Sequence, residues 1–185
     1  MINVTELRPG NYFEDEGNIF LVLDVLLNKT AMRKMVAKLK VKNLRTGSIT
    51  DVARNSGYTV EAIRLEKKKM QYLYDTGDAL VFMDQVNFEQ IEVQKSRLQW
   101  ELNFLVANAE IEVVSYEEEI LGISLPAKVE LLVTECEPAV RGDTVNKAMK
   151  DAILETGYKL RVPLFISEGE KILVRTDNGD YDGRA

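Results

Sequence analysis

Short runs of alternating apolar and polar residues, separated by glycine-containing turns, recur along the chain. A repeat of two suits a strand rather than a helix, so this pattern restricts the fold to sheets. In Val36-Ala37-Lys38-Leu39-Lys40-Val41-Lys42, the lysines fall on one face and Ala37, Leu39 and Val41 on the other. Arg45-Thr46-Gly47 then turns the chain into Ile49 to Val52, which predicts a hairpin with a cationic outer face. Residues 19–27 read as a buried strand ahead of it. Residues 70–74 and 80–83 flank the turn Asp75-Thr76-Gly77-Asp78, and 111–116 and 120–124 flank Glu117-Glu118-Glu119. Residues 60–65, 158–163 and 171–176 add further strands. Most of the 11 glycines fall at turns in this scheme, so an all-β chain is expected.

Charge is distributed unevenly over those strands. Residues 25–50 hold Lys29, Arg33, Lys34, Lys38, Lys40, Lys42 and Arg45 and no carboxylate. Of 24 basic and 30 acidic residues, the rest of the chain therefore keeps 17 and 30, a net charge of −13 beside a window of +7. A local cationic stripe attracts polyanions, and the acidic remainder limits indiscriminate binding. A solvated lysine face guarding an edge strand would show the same charges. Both readings are open on charge alone.

Composition removes several chemistries. There is no histidine, the usual proton carrier near neutral pH and the commonest metal ligand, so His-based triads and His-containing zinc sites are excluded. No Walker-type loop or GxGxxG is present. The runs 14–16 and 117–119 read as solvated turns rather than catalytic carboxylates. Cys136, the only cysteine, lies between Glu135 and Glu137, which disfavour a thiolate, so a structural role is expected. An enzyme is not expected, and no cofactor or metal is called for. No apolar run approaches the ~20 residues needed to cross a bilayer. The N-terminus lacks signal-peptide features, and a single thiol suits a reducing cytoplasm, so a cytoplasmic protein without a membrane partner is expected.

Only residues 95–106 look helical. Leu98, Leu102 and Leu105 share a helical face with Trp100 and Phe104 nearby, as in a short helix plugging a barrel end. On propensity alone, residues 146–155 could also be helical. The stretch 57–66, leading into Lys67-Lys68-Lys69, and Ser124-Leu125-Pro126-Ala127 suggest borders between pieces of about 60 residues, a size suited to five-stranded barrels.

Lys150-Asp151-Ala152, Gly157, Leu160, Val162-Pro163, Ile166 and Gly169 stand in the order and spacing of the bacterial elongation factor P signature. Tyr72-Leu73-Tyr74 before Gly77, Phe82-Met83-Asp84, Glu89-Gln90, Arg141-Gly142-Asp143-Thr144 and Gly179-Asp180-Tyr181 with Arg184 support the likeness. The chain thus resembles elongation factor P over essentially its whole length. The resemblance implies three small β-barrels: an SH3-like, KOW-type domain at 1–63 and two OB-fold barrels at 64–126 and 127–185. It also replaces the helix at 146–155 with loop and extended chain.

The resemblance further implies a monomer that binds the ribosome between the P and E sites, beside peptidyl-tRNA and ribosomal RNA, and relieves stalling at consecutive prolines. Residues 28–35 correspond to the family's functional loop. Counting back from Thr46-Gly47, Met32 takes the place usually held by a modified Lys or Arg, and Thr30, Ala31 and Arg33 replace the usual Pro-Gly and Gly. An unmodified tip is therefore expected, with Arg33 the first candidate for its cation, then Lys34 and Lys29. Lys38, Lys40 and Lys42, with Lys67 to Lys69, are the expected backbone contacts to RNA, joined by Tyr181 for stacking and by Arg184. A paralogue, the elongation factor P-like protein, and a generic OB-fold binder of single-stranded nucleic acid are the alternatives.

Overall fold

A computed structural model of the protein describes residues 1–29, 35–139 and 148–185. They form three antiparallel sheets. The first contains β1 (Ile2–Asn3), β2 (Tyr12–Asp15), β3 (Asn18–Asn28), β4 (Val36–Asn43), β5 (Ile49–Asn55) and β6 (Thr59–Ile63), in the order β1-β6-β2-β3-β4-β5. The alternation in β4 decides its packing: Ala37, Leu39 and Val41 are fully buried with Val4, Leu7, Phe13, Val22 and Val60, while Lys38 and Lys40 face solvent. Gly47 closes the β4–β5 turn at φ +76°, a conformation that costs glycine no steric strain.

The second sheet holds β7 (Glu66–Asp75), β8 (Ala79–Asp84), β9 (Gln90–Gln94), β10 (Glu110–Tyr116) and β11 (Glu119–Ser124), in the order β11-β10-β7-β8-β9. The third holds β12 (Lys128–Cys136), β13 (Met149–Leu154), β14 (Lys159–Pro163), β15 (Lys171–Arg175) and β16 (Tyr181–Arg184), in the order β14-β13-β12-β15-β16. The described chain packs as two compact units. One is Met1–Lys67 with Val114–Gly122, the tip of the β10–β11 hairpin; the other is Lys68–Val113 with Ile123–Ala185.

The helix expected at 95–106 does not form. Two 3₁₀ turns, Lys95–Arg97 and Glu101–Phe104, stand there instead, because Leu98 at φ −117°, ψ 24° leaves helical geometry between them. The apolar side chains that suggested one face go to different places. Leu98 is fully buried, whereas Phe104 enters the core of the third sheet with Leu131, Leu154, Val162 and Ile172. Trp100 follows it: its indole N–H donates to the Thr176 carbonyl at 2.9 Å, and its ring meets Phe104 and Tyr158 edge-on at 5.1 and 6.1 Å. Thr156 adds a 2.7 Å hydrogen bond from its hydroxyl to the Asn103 carbonyl. Gly179 is required beside this cluster, since a Cβ there would overlap the Tyr158 hydroxyl. The segment therefore packs through individual side chains, Phe104 in the core and Trp100 beside it, rather than as a regular helix.

Within the segment at 146–155, Met149–Leu154 form β13 rather than a helix. Cys136 is half-buried against the same core, its Sγ 3.8 Å from the Ile166 carbonyl oxygen.

Candidate nucleic-acid interface

The outward face of β4 is more mixed than its own sequence indicates. Register places Lys38 between Leu26 of β3 and Ala53 of β5, Lys40 between Asp24 and Asp51, and Lys42 between Leu21 and Ile49. A bulge between Val22 and Asp24 sets this pairing on β3. Asp24, Leu26, Lys38, Lys40, Asp51 and Ala53 line an open groove of about 420 Å³. Leu26 and Ile49 expose more than half of their surface. The face thus offers cations beside aliphatic surface at its two outer rungs and a cation between two carboxylates at the middle one. Phosphates can approach the ammonium groups of Lys38 and Lys42, while the charge of Lys40 is offset locally.

Lys29 is exposed immediately beyond β3. Met32, Arg33 and Lys34 lie outside the described residues.

Other predicted cations are committed within the protein. Every nitrogen of the Arg45 guanidinium is engaged: Nε donates to both Glu119 oxygens at 3.1 Å, Nη2 donates to Oε2 at 2.7 Å, and Nη1 donates to the Gly17 carbonyl. The Glu119 hydrogen bond, then the charges of Glu119 and Glu14, raise the Arg45 pKa above its ordinary value against the opposing effect of burial. Lys67, Lys68 and Lys69 belong to β7. Lys68 reaches Asp84 at 2.5 Å, and Asp84 is buried and also accepts from the Val86 amide at 2.7 Å. The Lys68 ammonium, followed by that amide, holds the Asp84 carboxyl below the usual carboxylate range.

Tyr181 and Arg184 lie on β16, in the other compact unit. Tyr181 is half-buried against the core there. The Arg184 guanidinium sits 4.7 Å over the ring of Phe165, which is 57% exposed, and 3.6 Å from Glu170. Among the described residues no cluster of His, Cys, Asp and Glu could hold a metal ion, and no helix is long and apolar enough to cross a membrane.

Sequence reasoning missed Asp24, Asp51, Leu26 and Ile49 as parts of the face. Their only signal is cross-strand register, which a bulge displaces.

Three family models match in order along the chain: the elongation factor P KOW-like domain over residues 3–60, its OB domain over 65–123 and its C-terminal domain over 129–184. The chain belongs to the elongation factor P family. Elongation factor P of Malacoplasma penetrans is 49% identical, across all of this chain and 97% of that protein. The Mycoplasmopsis pulmonis protein of the same name is 46% identical, across all of this chain and 99% of its own length. Among solved structures, the eukaryotic translation initiation factor 5A from Methanococcus jannaschii superposes with a TM-score of 0.52 at 19% identity, covering 67% of this chain and 93% of that one. That likeness shows a shared fold. An all-β protein with a KOW-like barrel followed by OB-type barrels, and the role of a translation elongation factor, follow from these matches.

Proposed function

We propose that the protein binds the ribosome between the P and E sites, beside peptidyl-tRNA and ribosomal RNA, and stimulates peptide bond formation where consecutive prolines stall it. The observation that carries this reading is the β3–β4 hairpin of an elongation factor P family member. It presents exposed Lys38 and half-buried Lys42 along one face and leads into the loop holding Lys29, Met32, Arg33 and Lys34. Within this reading the chain is a cytoplasmic monomer of three domains, 1–63, 64–126 and 127–185.

The mechanism is positional. A peptidyl-tRNA ending in proline presents a rigid group poorly aligned for attack. Holding its terminus restores alignment, and near-attack positioning lowers barriers by up to ~7–11 kcal/mol in the best cases. No proton carrier is asked of the protein, which suits a chain without histidine. Lys38 and Lys42 supply backbone contacts, and Arg33, with a planar fork suited to phosphate, steadies the terminus without needing a modification. The acidic remainder keeps binding to free RNA weak.

A polyproline reporter translated in a reconstituted system tests this, with mass-verified native and recombinant protein compared side by side. Both should speed synthesis, and Arg33→Ala should slow it while leaving ribosome binding intact. Failure of both preparations to relieve the stall overturns the reading. Equal loss of binding and stimulation in Arg33→Ala removes Arg33 from the tip.

A further inference from the structure

Arg45 is one of the seven cations of the basic window, yet its chemistry points inward. Its backbone is held before its side chain is considered. Asn43 is almost fully buried; its Oδ1 accepts from the amides of Arg45 and Thr46 at 2.9 and 3.2 Å, and its Nδ2 donates to Asn18 Oδ1 at 3.1 Å. The Gly47 amide donates to the Asn43 carbonyl at 2.8 Å, closing the turn. From this fixed base the guanidinium grips Glu119 through a two-nitrogen fork and the β2–β3 turn through Gly17.

Glu119 ends the acidic run Glu117-Glu118-Glu119 at the tip of the β10–β11 hairpin, which packs in the same compact unit. That tip meets like charge. Burial, then the charges of Glu117, Glu14 and Glu61, raise the pKa of the Tyr116 hydroxyl beside it, and Glu14 also acts on Arg45. Arg45 sets a cation against this acidic surface through its hydrogen bonds to Glu119. A single exposed ion pair usually contributes little, but a bidentate guanidinium–carboxylate pair on a rigid turn fixes direction as well as charge.

The direction matters because of where the pair sits. The Arg45 turn follows β4, and the loop of the proposed function precedes it, at the opposite end of the same eight-residue strand. At ~3.3 Å per residue that is about 26 Å, and β4 is paired with β3 and β5 along that length, so a disturbance at the Arg45 end reaches the loop end through the register and twist of the sheet. A misplacement of ~1 Å can already cost about a hundredfold in a reaction that depends on alignment.

We infer that Arg45 and Glu119 form a latch that holds the β4–β5 turn against the β2–β3 turn and the β10–β11 tip, and so steadies the strand that carries the loop; they are positioning residues, not RNA contacts. The functional half of this inference rests on the reading proposed above.

The test uses Arg45→Glu, Glu119→Arg and the double exchange, with Glu119→Gln as a milder variant should a charge reversal fail to fold. Each is assayed for maximal stimulation of polyproline synthesis and for half-saturating concentration on ribosomes. In parallel, spin labels at Ser48→Cys and Glu118→Cys, in a Cys136→Ser background, report the distance between the two turns without any activity. Each single variant should lower maximal stimulation about tenfold, shift half-saturation less than about threefold and broaden the distance distribution. The double exchange should restore both stimulation and distance. Unchanged distances in the single variants overturn the latch, whatever the translation assay gives. Broadened distances with full stimulation overturn its positioning role. Wild-type protein that gives a sharp distance but no stimulation sinks the proposed function and leaves the latch standing.

Discussion

Freeing Lys40 should convert a locally offset cation into an RNA contact. The perturbation is Asp24→Asn together with Asp51→Asn, the two residues that register sets on either side of Lys40. Cross-strand neighbours have Cβ atoms ~4.5–5.5 Å apart. With charges ~6 Å apart in water, each carboxylate attracts the ammonium by about 0.7 kcal/mol. The pair together therefore matches or exceeds the ~1 kcal/mol that one phosphate offers at ~4 Å. In the wild type, Lys40 should accordingly add little to the salt dependence of ribosome binding. In the double variant it gains one phosphate contact, and the slope of log K against log salt should steepen by ~0.7–0.9. Between 50 and 200 mM salt, the variant's advantage in affinity should then shrink about threefold. Titration of labelled protein against ribosomes across that range measures the slope. Lys38→Ser, which removes a cation with aliphatic neighbours, should make it shallower by the same amount. A slope unchanged in the double variant would refute the account of the middle rung.

Phe104→Ala should destabilise the unit that contains the third sheet by ~3–5 kcal/mol, because a fully buried ring leaves a cavity in its core; a loss below about 1 kcal/mol in urea unfolding would contradict that packing. Asp84 should confer a pH-dependent stability. Its folded pKa lies below the unfolded value of ~3.9, so its contribution is complete at neutral pH and is lost as pH falls below about 4 through the folded value. Asp84→Asn should therefore be less stable than wild type at pH 7, with the gap closing in acid; a gap constant down to pH 2.5 would refute this.

What the sequence discloses here is what repeats locally. The β4 strand announces itself because burial of Ala37, Leu39 and Val41 and exposure of Lys38 and Lys40 share one period. The third-sheet strands at 158–163 and 171–176 are legible for the same reason. The 3₁₀ turns are not, since Leu98, Leu102 and Leu105 satisfy helical spacing while their destinations are set by tertiary packing. Phe104 is drawn into a core made by residues far along the chain, a preference no local window contains. The carboxylates around Lys40 depend on register across two partners, one carrying a bulge. The Arg45–Glu119 pair spans 74 positions, so nothing near either residue foretells it.

Trp100, the chain's sole tryptophan, is wedged between ring edges of Phe104 and Tyr158, with its indole nitrogen tied to Thr176. Its intrinsic emission is a gauge of that seam. Denaturation curves read by fluorescence will follow separation of this segment from the C-terminal sheet, and a silent signal on adding RNA says nothing about the lysine face. A dye attached near the basic hairpin is the instrument for that question.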